Sequence, residues 1–418
     1  MKDRRRSMPL LATSRLSHLP RRCALGCAAS ALLVGLAGLA GCGPSAPRAS
    51  IDAQATLPRA DEGTARTRVL GAALSRPWGL AFLPDGRMLV TQKDGALVIV
   101  RADGAAVDTQ VSGVPAVDSG GQGGLLDVAL DPDFASDPWV YLSYAESGND
   151  GSATALARGR LVGNALRDVA VLWRQQPKVR GGNHFGSRIV FRADKTLYLT
   201  LGDRGQDSPA SPSAANTQDA ARGYGKVVRL NRDGSIPAGN PSFGSGAVAG
   251  LWSTGHRNVQ GAALRPGSDE LWVTEHGPRG GDELNRVLPG RNYGWPLASY
   301  GCPYSESQSQ PGCRPGGGTH APTFEEPKTT WQPTSIAPSG LVFYSGDRWP
   351  EWRGQLFAGA LAGATLWRIV LDANGAVTTR EEVPAVKALG KRIRDVEQGP
   401  DGWLYLLTDD GKIVRLER

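Results

Sequence analysis

A short run of β-branched and aromatic residues, a turn containing Pro, Asp or Gly, and a second such run recur along this chain. The clearest copy runs from Trp78-Gly-Leu-Ala-Phe82 through Leu-Pro-Asp-Gly to Met88-Leu-Val90, followed by Gly95-Ala-Leu-Val-Ile-Val100. Related copies lie at 125–144, 188–199, 261–273, 340–370 and 396–416, making six. Short apolar runs bounded by such turns specify strands, and no 3.6-residue period competes with them. Six Gly-rich, turn-rich sheets in 418 residues predict an all-β fold, a six-bladed β-propeller. Two packed sheets are the alternative, and they account for six similar units less economically. The last copy supplies only about three strands, whereas 67–74 is a strand to spare. Pairing that N-terminal strand into the C-terminal blade would close the ring and remove its open edges.

The propeller domain is therefore expected over 67–418. Ahead of it, residues 1–41 read as a lipoprotein-type signal peptide: a basic stretch ends at Arg21-Arg22, small apolar residues follow, and Leu39-Ala-Gly-Cys42 closes it. That ending resembles the bacterial lipobox, which makes Cys42 the expected lipidation site, with 42–66 a flexible Pro/Ala/Ser tether. An uncleaved membrane anchor is the competing reading of the apolar run. The expected location is a bacterial membrane facing the periplasm, the outer membrane favoured because Gly43 follows the cysteine. Of the net charge of +7, six units come from residues 1–41, which leaves +1 for the rest. A nearly neutral mature chain gives no support to nucleic-acid binding.

Five cysteines are present. With Cys23 and Cys27 in the signal and Cys42 lipidated, only Cys302 and Cys313 remain. An isolated pair in an exported protein predicts a disulfide, which contributes about 3 kcal/mol in the chain-entropy model.

The polar residues that matter in a propeller lie in the loops at one end of its channel. Gly181-Gly-Asn-His-Phe-Gly186 sets His184 on a glycine-flexed loop at a strand entrance, placed either for proton transfer or for plain backbone hydrogen bonding. Gly120-Gly-Gln-Gly-Gly124 carries Gln122 as its only functional side chain. Arg257, Asn258 and Gln260 form a fork of donors suited to carbonyl and carboxylate oxygens. Arg392 and Arg394 alternate, so both would leave an extended segment on one side and need an anion or carboxylates there. His256 and His276 lack metal-ligand spacing and read as structural. Zinc-protease, Walker, Rossmann and Gly-x-Ser-x-Gly patterns do not occur.

Taken in order, these loops resemble the PQQ-dependent soluble aldose sugar dehydrogenases, the glucose/sorbosone dehydrogenase family, over nearly all of 74–418. The resemblance also rests on Leu-Gly-Asp-Arg-Gly205, Glu-His-Gly-Pro-Arg-Gly-Gly-Asp-Glu-Leu-Asn285, Asn-Tyr-Gly-Trp-Pro296, Ile-Ala-Pro-Ser-Gly340 and Arg-Ile-Arg-Asp-Val396. It implies a six-bladed propeller that binds PQQ and Ca²⁺, oxidises aldoses at the anomeric carbon to lactones, and passes electrons to an external acceptor. It makes His184 the catalytic base. Arg257, Asn258, Gln260, Arg392 and Arg394 would bind the quinone. The backbone carbonyls of Gly277 and Pro278 would bind calcium, and Gln122 and Asn183 would face the sugar. Two positions depart from the family pattern: Asn183 stands where the glucose-oxidising branch has an acidic residue, and 359–365 lacks a lysine that some members place against the cofactor. The residues alone also admit a calcium-dependent lactone hydrolase on the same scaffold, or a non-catalytic binding propeller.

Overall fold

The computed structural model describes residues 65–211 and 215–418. The expected signal 1–41, Cys42 and the tether up to residue 64 lie outside the described residues. The regular secondary structure of the rest is nearly all strand, arranged as six four-stranded antiparallel sheets. Five are built from consecutive strands, within 77–111, 125–174, 186–253, 259–331 and 338–382, and are called blades 1 to 5 here. Blade 6 takes three strands from 393–417 and its outermost one, Arg66–Val69, from the N-terminus. The pairs Arg66↔Glu417 to Val69↔Val414 close the ring as expected. The closing strand begins one residue earlier than expected and ends at Val69 rather than residue 74. Beyond it the Ala72 N–H turns to Gly104 O of blade 1.

The strands read as continuous apolar runs because most blades are covered on both faces. In blade 1, Leu89 packs toward blade 2 with Val128 and Leu142. Its neighbours Met88 and Val90 face Leu407 and Ile413 of blade 6. Alternation along the strand thus feeds two cores at once, and the strand Met88–Gln92 is buried throughout. Each of the six blade–blade interfaces carries its own apolar cluster in this way.

The innermost strand of every blade starts with a break in register against its neighbour, between Pro77 and Leu80, Leu125 and Val128, Gly186 and Ile189, Val259 and Gly261, Pro338 and Leu341, and Ile393 and Asp395. A bulge bends its strand and re-aims the side chains at that point. Here six bulges ring one mouth of the channel, and Trp78, Leu126, Gln260 and Arg394 on them line a cavity of about 160 Å³.

Below that mouth the channel is crossed by Arg188 from the blade 3 bulge. Its guanidinium meets Asp127 of blade 2 at 3.1 Å and Asp395 of blade 6 at 2.8 Å, donates to Gln260 O of blade 4 at 2.7 Å, and lies over the Trp78 ring of blade 1 at 4.1 Å. The two carboxylates in turn accept from the Ile189 and Leu80 N–H groups. Residues one or two steps further along the inner strands, such as Val128, Ala262 and Glu397, line a second cavity of about 300 Å³ on the far side. Removing one partner of such a buried network strands the others without compensation. Arg188→Met should therefore lose about 3–5 kcal/mol of stability in urea denaturation. Adding Asp127→Asn and Asp395→Asn to that variant should restore part of the loss, which apolar packing at Arg188 alone could not do.

Candidate active site

His184 sits two residues ahead of the blade 3 inner strand Gly186–Phe191, with a φ of 53°. That left-handed conformation is uncommon for a residue with a side chain and is held by its surroundings. Its backbone N–H donates to Gln122 Oε1 at 2.9 Å, while Gln122 N donates to Gly182 O at 2.6 Å. The two loops can approach this closely only because Gly121 and Gly182, where they touch, carry no side chain: a Cβ on Gly121 would stand 2.5 Å from Gly182 O. Beneath the loop, Arg204 is buried over the Phe185 ring and donates to the carbonyls of Gly181 and Asn183. Burial pulls its pKa down to about 10, which leaves it charged at neutral pH.

The imidazole of His184 is 14% exposed, and its Nδ1 lies 2.6 Å from Oδ1 of the fully buried Asp203. Asp203 also accepts from the Trp295 indole N–H at 2.7 Å and from the Gly205 N–H at 2.7 Å. Burial pushes this carboxyl up, but His184, Arg257 and the Gly205 N–H outweigh it and hold the group below the usual carboxylate range. An ionised Asp203 keeps the ring proton on Nδ1 and leaves the Nε2 lone pair as the base. Sequence reasoning quoted Asp203 and Trp295 within motifs without assigning them a role. The one local signal was the Gly-Asp-x-Gly turn at 202–205, in which an aspartate accepts from the N–H two residues on.

Of the other expected site residues, Gln122, Gln260, Arg392 and Arg394 line the 160 Å³ cavity, together with Lys93, His276 and Leu361. Arg392 and Arg394 do converge, as their alternation suggested, and what joins them is Asp409: Nε of each donates to one of its oxygens, at 2.8 and 2.9 Å. Gln122 commits its amide oxygen to His184, so only its nitrogen end is free for a ligand. Asn183 is exposed on the same loop. Leu361, from the 359–365 segment, places an apolar side chain on the blade 5 wall.

Arg257 and Gly277 lie on an adjoining smaller cavity that shares His276 with the first. Arg257 Nη1 donates to the carbonyls of His276 and Gly277, at 3.1 and 2.8 Å. The expected calcium-binding carbonyl of Gly277 and the expected cofactor-binding Arg257 thus contact each other. Among the described residues no group of three or more His, Cys, Asp or Glu side chains is set to hold a metal. A cation here would rely on main-chain oxygens such as those of Gly277 and Pro278. Two buried donors, Arg257 Nε and Asn258 Nδ2, have no partner among the described residues. Arg257 lines the smaller cavity, whereas Asn258 is wholly buried, lines neither, and accepts from the Gly186 N–H and Gln260 Nε2. The Arg257 orphan fits a ligand rich in carbonyl and carboxylate oxygens.

His256 is structural, as expected: it lies between Ser253 Oγ and Glu275 and stacks on Tyr293. His276 donates Nε2–H to Pro338 O at 2.7 Å, and burial brings its pKa to about 3. It is a neutral wall of the cavity as well as a structural residue, a position that spacing along the chain could not reveal.

Six blades, a histidine–aspartate pair at a bulged rim and a cavity walled by arginines are the geometry against which known proteins can be compared. The sequence profile of the Glucose / Sorbosone dehydrogenase family matches residues 74–415. The chain belongs to that family. It is 45% identical over 359 residues to the aldose sugar dehydrogenase YliI of Escherichia coli K12, covering 84% of this chain and 93% of that protein. It is 29% identical over 409 residues to quinoprotein glucose dehydrogenase B of Acinetobacter calcoaceticus, covering 82% of this chain and 85% of that one. Among solved structures, the apo-form of the soluble aldose sugar dehydrogenase from E. coli superposes with a TM-score of 0.77 at 41% identity, covering 85% of this chain and 99% of that one. The PQQ-bound aldose sugar dehydrogenase of Streptomyces coelicolor gives 0.67 at 31% identity, covering 84% and 98%. Membership of the family makes the protein a sugar dehydrogenase and confirms the propeller inferred from the strand repeats.

Cys302 and Cys313 are joined as expected. The clip is not remote from the site. Cys302 and Arg279 exchange both backbone hydrogen bonds, at 3.0 and 3.1 Å, two residues from Gly277. Reduction should therefore raise amide exchange across 277–281, read by hydrogen-exchange mass spectrometry, and lower stability by about 3 kcal/mol or less. Unchanged exchange at 277–281 after complete reduction would show the clip to be independent of the site.

Proposed function

We propose that this dehydrogenase oxidises aldose sugars at the anomeric carbon to lactones, with PQQ and calcium bound at the channel mouth and an external protein or dye as electron acceptor. The observation that carries the reading is the Asp203–His184 pair, its histidine next in the chain to Phe185 and Gly186, which line the cavity together with Lys93, Arg392 and Arg394. The names of its relatives support sugar as substrate, and the PQQ-bound S. coelicolor enzyme and the Acinetobacter quinoprotein support the cofactor. The orphaned Arg257 Nε, on the adjoining cavity, suits a quinone bearing carboxylates, and Asn258 would hold it only through the loop it braces. Arg392, Arg394 and Gln260 would hold it from the cavity walls, and the Gly277 and Pro278 carbonyls would hold calcium. PQQ, when bound, supplies the two-electron acceptor for the anomeric C–H.

The chain's own part is proton transfer and orientation. His184 Nε2 takes the proton of the anomeric hydroxyl as the C–O bond gains double-bond character. Asp203 keeps Nδ1–H directed away from the substrate and stabilises the imidazolium that forms. Trp295 and Gly205 fix both Asp203 oxygens, so the ring does not swing as charge develops. Gln122 and Asn183 flank the base and would meet the sugar's hydroxyls.

The test is a titration of apo-protein with PQQ and Ca²⁺, followed by dye-linked aldose oxidation. Wild-type protein should gain activity. His184→Ala should lose about 10²- to 10⁴-fold in turnover at saturating PQQ, with PQQ affinity little changed. Asp203→Asn should fall comparably, because an amide donor opposite Nδ1 favours the wrong tautomer. Normal turnover by the His184→Ala variant rejects the mechanism.

The N-terminal segment extends the proposal to location: an enzyme anchored through lipid on Cys42 and facing the periplasm. Cys42→Ser should move it from the membrane to the soluble or unprocessed fraction. Wild-type protein that carries no lipid and fractionates as soluble would refute this part.

A further inference from the structure

Lys93 follows the blade 1 strand Met88–Gln92 and is outside every role given so far. Its backbone is pinned, with N–H donating to Arg76 O at 3.1 Å and its carbonyl accepting from the Leu125 N–H. The side chain crosses to the Gln122 loop, where Nζ donates to Gly121 O at 2.8 Å. An ammonium has three donors, so this bond leaves two for the cavity that Lys93 lines with Arg392 and Arg394.

The charges facing it do not balance. Arg76 is already paired with Asp94, and Asp409 is shared between Arg392 and Arg394. Lys93 has no carboxylate within ion-pair distance among the described residues. Three cations line this cavity, and Asp409, the carboxylate bonded to two of them, does not reach the third. Burial, then the charges of Arg394 and Arg76, lower the lysine's pKa, and only Asp409 opposes them. Packing a third cation beside two others is unfavourable unless something anionic joins them.

We propose that Lys93 is a ligand-binding residue of this cavity, its ammonium pairing with a carboxylate of the bound quinone cofactor alongside Arg392 and Arg394. The assignment rests on the PQQ reading above and adds blade 1 to the cofactor-binding blades. It also gives the Lys93–Gly121 bond a second consequence: the residue that pairs with the cofactor holds the loop that carries Gln122, and Gln122 holds the His184 backbone.

The experiment is a PQQ titration of full-length wild-type, Lys93→Met and Lys93→Arg apo-proteins in calcium, read by quenching of intrinsic fluorescence, and repeated with the trimethyl ester of PQQ. Lys93→Met should bind PQQ roughly 10- to 100-fold more weakly than wild type, the usual worth of a hydrogen bond to a charged group. Lys93→Arg should recover most of the affinity. The ester should bind wild type and Lys93→Met alike, because it has no carboxylate for the ammonium to meet. Lys93→Met with wild-type affinity for PQQ overturns the assignment. So does an equal loss for acid and ester, which would make Lys93 only a clip for the 120–124 loop. Wild-type protein that binds neither compound overturns the PQQ reading itself and the assignment with it, a result distinct from either of those.

Discussion

The Arg188 guanidinium is where the blades meet across the channel. From blade 3 it reaches carboxylates of blades 2 and 6 and a carbonyl of blade 4, and it lies on an indole of blade 1. Blade 5 joins through Ser339, whose hydroxyl donates to Ile393 O while its carbonyl accepts from Thr274. A propeller's apolar clusters sit between neighbouring blades and say little about how the innermost strands are aligned. Charge does that here. One cation and two carboxylates removed from water are tolerable only in a geometry that satisfies all of them. This layer thus specifies the relative heights of the inner strands and, through them, the six bulges at the channel mouth.

The site is built directly on that alignment. Asp127, Arg188 and Asp395 lie on the bulged segments whose neighbours Leu126, Gly186 and Arg394 line the cavity above. His184 precedes Arg188 by four residues, on a loop braced from below by Arg204 and from the side by Gln122. The His184 imidazole is therefore not a mobile side chain but the end of a chain of fixed contacts: Trp295 on Asp203, Asp203 on the ring, and two glycine loops on the backbone. Lys226 extends the bracing outward. It is buried, with its pKa lowered to about 7, and it donates to the carbonyl of Thr217, whose hydroxyl in turn donates to Trp295 O. Groups of this kind stabilise one orientation at some expense in desolvation, a common trade where proton transfer needs a fixed acceptor.

Much of the fold was legible along the chain. Two-faced burial writes itself as unbroken apolar runs such as Met88-Leu-Val90, and the missing outer strand of blade 6 was visible as a spare run at the opposite terminus. The exact end of that strand was not, because Val69 and Leu70 are both apolar: the Leu70 N–H still reaches Ile413 O, and the chain turns to Gly104 only at Ala72. Within the site, His184 and the 392/394 arginine pair stood out by glycine flanks and alternation. Asp203, Trp295, Asp409 and Lys93 did not. An aspartate before a glycine is ordinary turn chemistry, and nothing local distinguishes one that also holds an imidazole.

What the sequence alone determined is therefore local: strand, turn and glycine loop, the number of blades, the loop on which His184 sits and the cysteines that can pair. Those follow from short-range sterics and from which faces must leave water. What only the tertiary structure decided is the set of partners drawn from different blades. Asp203 meets Trp295 across 92 positions, and Arg188 donates to Arg394 O across 206. Electrostatic and hydrogen-bond pairing act over a few ångströms of space and are indifferent to distance along the chain. Closure of the ring is what turns scattered polar residues into a histidine–aspartate pair, a cation-lined cavity and the buried network beneath them.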